Sequence, residues 1–149
     1  MEQRYFEDVE PGDEVEEWWQ ATSEAVRIFM TTRRGVVGGV PPFDDDEPRP
    51  GFDRPIVPGP MSLALLARLV TDWMGPYGRL RSIDVDYRRP VYRDDRLRLV
   101  GLVTDTIAGG DDSGGSTLKL DVYFENDRGE RPLQGVAVVE LPHRGERNS

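Results

Sequence analysis

"RPIVPGPMSLALLARLVTDWMG", residues 54–75, decides the fold. A Pro-Gly-Pro turn opens directly into an apolar run. Met61, Leu63, Ala64, Leu65, Leu66, Ala67, Leu69, Val70, Trp73 and Met74 leave only a narrow polar edge at Arg68, Thr71 and Asp72. The pattern predicts a helix over 60–74, roughly 22 Å long at ~1.5 Å per residue. A helix apolar almost all round is buried on most sides. The run falls short of the roughly 18 to 20 apolar residues a membrane span needs, so its burial has to come from protein.

The flanking sequence supplies the cover. Downstream, "SIDVDYR" (82–88) and "TLKLDVYFEN" (117–126) alternate apolar and polar residues, the period of a half-buried strand. "DRLRLVGLVTDTI" (95–107) and "GVAVVELP" (135–142) read as two more strands. The Gly/Asp connections "AGGDDSGGS" and "NDRGE" are signatures of antiparallel hairpins. Upstream, "YFEDVEPGDEVEEWWQAT" (5–22) is extended around a Pro11–Gly12 turn. Its adjacent Trp18 and Trp19 point to opposite faces, one to the core, the other to a pocket or subunit contact. Ser23–Arg34 reads as a helix capped by Thr22 or Ser23, with Ala25, Ile28, Phe29 and Thr32 on one face. The segment 34–55, rich in Gly and Pro, is a long loop of the kind that carries function or disorder. One buried helix and a run of antiparallel strands have a joint solution: an α+β fold in which the sheet wraps one long central helix, the hot-dog arrangement.

Composition narrows the partners. A chain of 149 residues fits one domain, 1–149. Its net charge of −9 repels nucleic-acid phosphates. With no cysteine, disulfides, thiolate metal sites and a Cys nucleophile are excluded. The N-terminus has no basic region followed by an apolar one, so no signal peptide or membrane anchor is expected and the cytoplasm is the default. The tail 143–149 is expected to fray, leaving His143, the one histidine, solvated. The Asp/Gly loop 109–115 lacks the carboxylate spacing of a calcium loop, and no metal is assigned.

Four stretches, in order and spacing, carry a family likeness: "YFEDVEPGDEVE", "FDRPIVPGPMSLALLARLVTDW", "IDVDYRRPVYRDDRLRLVGLVTD" and "GVAVVELP". The chain resembles the MaoC-like dehydratase family of hot-dog proteins, which includes R-specific enoyl-CoA hydratases. The resemblance implies an acyl thioester, on coenzyme A or an acyl carrier, lying near the central helix with its carbonyl at the helix N-terminus. Helix-terminal N–H groups lack intrahelical partners and the macrodipole is positive there. Pro58 and Pro60 donate nothing, so the Gly59 N–H is one of few candidate donors to a developing enolate oxygen; the alternative is a merely stiff entry turn. Met61, Arg88 and Arg89 are candidate substrate contacts, the arginines toward the phosphates of coenzyme A. Pairing of those arginines with Asp84, Asp86 or Asp94 is the structural alternative.

The resemblance also exposes a departure. Hydration of an enoyl thioester needs a base for water and an acid for the α-carbon. The family supplies an Asp and a His from the loop before the central helix, in a pattern like D-x-N-P-x-H-x-D. Aligned here, those positions fall on Gly38 and Phe43, or on Gly35 and Val40, and neither placement provides the pair. Asp44, Asp45 and Asp46 are the substitute acid/base candidates, against a reading as a solvated loop or lid. The expected function is an acyl-CoA-binding hot-dog subunit, catalytically incomplete, beside a complete MaoC-like partner. The alternatives are a stand-alone hydratase or dehydratase with a relocated acid/base, a thioesterase using a loop carboxylate, and a free-standing acyl-thioester or lipid-binding module. Acyl-CoA enters as ligand or substrate, with no separate cofactor. Exposed sheet edges imply a homodimer or a heteromer.

Overall fold

The apolar run forms a 16-residue helix, α1 (Gly59–Met74). Pro60 sits in its first turn, where a missing N–H costs nothing. Gly75, at a φ of 87°, ends it. The computed structural model describes residues 2–20, 22, 24–26, 28, 55–109 and 115–145. Around α1 lie β1 (Glu14–Gln20), β2 (Arg79–Tyr87), β3 (Arg96–Ile107), β4 (Thr117–Glu125) and β5 (Leu133–Glu140). They form one sheet in the order β1-β3-β4-β5-β2, every neighbouring pair antiparallel. No helix among the described residues is long and apolar enough to cross a membrane.

The inner face of the sheet is built by alternation. Leu97, Leu99 and Val103 of β3, Leu118, Leu120, Val122 and Phe124 of β4, and Leu133, Ala137 and Val139 of β5 meet the helix row Met61, Leu65, Leu66, Leu69, Val70 and Trp73. Irregularities at Leu80/Ser82 in β2 and Val103/Asp105 in β3 interrupt the ladders. Such bulges bend a strand and sharpen its twist, which helps the sheet close on the helix. The bulge also explains why β2 begins at Arg79, earlier than the alternation at 82–88 suggested: it breaks the period. Gly135 of β5 lies against β2 so closely that a Cβ there would sit 1.9 Å from the Asp84 carbonyl oxygen. On the outer face, Arg98 pairs with Glu16 (2.6 Å) and Glu125 (3.2 Å), stitching β1, β3 and β4.

Several expectations shift. α1 is less enclosed than its composition suggested: Pro60, Ala64, Arg68 and Asp72 form an exposed row, so its open edge includes small residues as well as polar ones. Trp19 packs against the core, whereas Trp18 is 50% exposed with the Arg96 guanidinium 4.5 Å above its ring. Glu24, Ala25, Val26 and Ile28 are helical, and the Ala25 N–H donates to Thr22 Oγ1 at 3.1 Å, the expected cap. The expected face is corrected: Val26 is 1% exposed and Ile28 59%. Ala25 of that face does pack, partly buried, against the core. Phe29 and Thr32 lie outside the described residues.

His143, expected in a frayed tail, stays partly exposed but is held by partners. Its Nε2 lies 2.7 Å from Ser116 Oγ, its Nδ1 3.2 Å from Glu7 Oε1, and its ring 5.2 Å from that of Phe6. Backbone bonds from Leu141 to Ser116 and from Phe6 to Pro142 carry the chain past β5 onto the N-terminal turn. The Arg144 N–H donates to the Glu7 carboxylate and its guanidinium to Asp8. Glu7's own N–H above all, then the Arg144 N–H and the charges of His143 and Arg144, hold its carboxyl below the ordinary range. Residues 146–149 lie outside the described residues.

Candidate functional site

The entry to α1 is fixed by a short backbone clamp. The Val57 N–H donates to the Val91 carbonyl (2.6 Å) and the Arg93 N–H to that of Pro55 (3.0 Å). Chain then turns through Pro58, whose carbonyl accepts from both the Met61 (3.1 Å) and Ser62 (3.2 Å) N–H groups. Pro60 has no N–H, and no side chain caps the helix. The Gly59 N–H is therefore the remaining donor of the first turn, and among the described residues it meets no acceptor.

From the end of β2, Tyr87 reaches back over this turn. Its Oη donates to the Gly59 carbonyl at 2.8 Å, and its ring lies where a Cβ on Gly59 would make 3.3 Å contact. Partial burial raises the phenol's pKa, keeping it a neutral donor. Gly59, Ser62 and Tyr87 line a cavity of about 300 Å³, with Ile56, Val57 and Val91 as apolar wall. Arg88 and Arg89 also line it and are themselves exposed. The Arg89 guanidinium is 3.3 Å from Glu130 Oε2. Arg88 meets Gln134, whose side-chain oxygen, in the orientation that satisfies both groups, accepts from Nε and Nη2 at 3.2 Å. The partners are thus Glu130 and Gln134, not Asp84, Asp86 or Asp94. The turn after β2 aims both arginines across β5 through backbone bonds to the Pro132 carbonyl.

Of the residues singled out by sequence, Gly59, Arg88 and Arg89 converge on one cavity. Met61 does not join them; it is 5% exposed and packs in the core. Asp44, Asp45 and Asp46, and the aligned positions Gly35, Gly38, Val40 and Phe43, lie outside the described residues. Two cavity residues were passed over in the sequence, Tyr87 and Ser62. Tyr87 read as one more alternating strand residue. Ser62 had a signal: it is the one polar side chain in the apolar half-turns after Gly59. A second cavity of about 270 Å³ lies on the outer sheet face, with Asp86, Asp121 and Arg131 as its charged lining.

An antiparallel sheet curled around one long helix, with its cavity at the helix entry, is a hot-dog fold, and solved structures share it. The (R)-hydratase from A. caviae involved in PHA biosynthesis superposes with a TM-score of 0.70 at 20% identity, over 90% of this chain and 98% of its own. A MaoC-like dehydratase from Rhodospirillum rubrum gives 0.74 at 17% identity, over 96% and 99%. The ChsH1-ChsH2 complex from Mycobacterium tuberculosis gives 0.69 at 20% identity, over 89% and 98%. The sequence has no match among curated proteins. The family model of the MaoC like domain matches residues 49–122, which span the entry clamp, α1, β2, β3 and most of β4. The chain carries a MaoC-like domain.

Proposed function

We propose that this protein binds an acyl thioester with its carbonyl oxygen on the Gly59 N–H, and that it serves as a catalytically incomplete subunit beside a complete MaoC-like partner. The observation that carries the reading is the cavity that Gly59 lines, together with its N–H, the one first-turn donor without an acceptor among the described residues. A donor placed at a helix N-terminus stabilises developing negative charge on a carbonyl oxygen, an effect of roughly 3 to 4 kcal/mol per donor in mutational tests. Arg88 and Arg89 supply positive charge at the same cavity in an otherwise acidic protein, where the phosphates of coenzyme A would lie.

The incomplete chemistry rests on the lining. No carboxylate and no imidazole is among the described residues around the cavity, and His143 is engaged with Ser116 and Glu7. On this reading the acid and base come from the partner chain, since neither sequence placement of the family's Asp and His provides the pair here. The ChsH1-ChsH2 structure is a precedent for a complex within this fold. The test is a hydration assay with crotonyl-CoA and a long-chain enoyl-CoA. The purified chain is expected to be stabilised thermally by acyl-CoA yet to turn none over, and turnover is expected on co-expression with a hot-dog chain that carries the Asp/His pair. Hydration or thioester hydrolysis by the purified chain alone, lost on Asp→Asn changes at Asp44 to Asp46, would replace this reading with that of a stand-alone enzyme.

A further inference from the structure

Ser62 is 1% exposed, lines the cavity, and its hydroxyl has no hydrogen-bond partner among the described residues. A buried hydroxyl left unsatisfied costs about 1–3 kcal/mol. A serine inside a helix ordinarily relieves that cost by bonding the carbonyl four residues back. Here that carbonyl belongs to Pro58, and it already accepts the N–H groups of Met61 and Ser62. The first turn of the helix thus holds two donors without a partner among the described residues, the Gly59 N–H and the Ser62 hydroxyl. Residues three apart share a helix face, and both groups line one cavity whose nearby wall is apolar.

We propose that the Ser62 hydroxyl is a second donor to the ligand's thioester carbonyl, so that one oxygen is held by the Gly59 N–H and the Ser62 O–H together. The assignment rests on the acyl-thioester reading above and adds the residue that selects for a carbonyl over an alkyl linkage. A carbonyl oxygen has two lone pairs, and a serine has one O–H to give. Tyr87 does not compete for the role, because its hydroxyl is spent on the Gly59 carbonyl. Ser62 is a binding and positioning group; among the described residues lining the cavity there is no carboxylate or imidazole to remove its proton for nucleophilic attack.

The test compares octanoyl-CoA with its thioether analogue octyl-CoA, which lacks the carbonyl, by calorimetric titration of the full chain. Wild type is expected to favour the thioester. Ser62→Ala is expected to lose about five- to tenfold in thioester affinity, the size of one hydrogen bond, with thioether affinity unchanged. Ser62→Cys, which is slightly larger and donates weakly, is expected to lose the same preference. The unliganded Ser62→Ala protein should melt no lower than wild type, since a buried unpaired hydroxyl is gone. Equal effects on both ligands, no effect on either, or a lowered melting temperature overturns the Ser62 assignment while the thioester site stands. Failure of wild type to bind either ligand overturns the acyl-thioester reading itself, and Ser62 falls with it.

Discussion

Tyr87 and Gly59 meet through one hydrogen bond that joins the end of β2 to the first turn of α1. Tyr87→Phe removes it and leaves the ring. Because the tyrosine is half exposed, the expected loss is at the low end of the range for a neutral pair, about 0.5–1 kcal/mol. That corresponds to a fall of roughly 2–4 °C or less in melting temperature for a chain of this size, measurable by differential scanning calorimetry. Arg89 belongs to the same scale. Arg89→Ala is expected to weaken octanoyl-CoA several-fold at low salt and to leave octanoyl-pantetheine, which lacks the nucleotide phosphates, untouched; equal losses would move Arg89 from the ligand to its Glu130 partner. Gly59 was legible in the sequence because prolines on both sides silence the competing donors. Ser62 and Tyr87 were not, because their meeting depends on how far β2 extends before it turns back over α1. That register is a long-range property no local pattern carries.

At the scale of elements, the β2–β5 pairing has a built-in test. The backbone of β2 occupies the space a side chain at position 135 would need. Gly135→Ala is expected to cost at least about 2–3 kcal/mol through forced separation of the strands, read as a shifted urea midpoint, whereas a neutral outcome would mean the strands lie farther apart. The Glu7 clasp on Arg144 and His143 gives a pH test. A carboxyl held below its ordinary value of 4.5 adds stability that is present above that value and lost as pH falls through the lowered one. The Arg144 amide is therefore expected to lose protection, measured against its falling intrinsic exchange rate, as pH drops through this region, and Glu7→Gln should abolish that pH dependence. Strands β3 and β4 were readable from alternation almost to their ends. The start of β2 was hidden by its bulge, and the burial of Val26 by an apolar pattern too short to fix which face turns inward. The His143 clasp was hidden because its partners, Glu7 and Ser116, are remote in sequence and come together only when β5 closes the sheet.

For the whole molecule, β1 and β2 end the sheet as its two edges, and α1 shows an exposed row from Pro60 to Asp72. Unpaired strand edges are surfaces that proteins cover or charge. The purified chain is accordingly expected to sediment as a dimer or to co-purify with a second hot-dog chain, as light scattering would read; a stable monomer at micromolar concentration would count against the proposed assembly. The overall architecture was legible because a helix that oily has to be wrapped, and a run of alternating strands is what can wrap it. Everything functional turns on the leading amide of that helix. Titration of ¹⁵N-labelled protein with octanoyl-CoA tests it directly. A downfield shift of the Gly59 amide proton that octyl-CoA does not reproduce is the predicted result; a Gly59 signal left unmoved at saturating octanoyl-CoA would contradict the account.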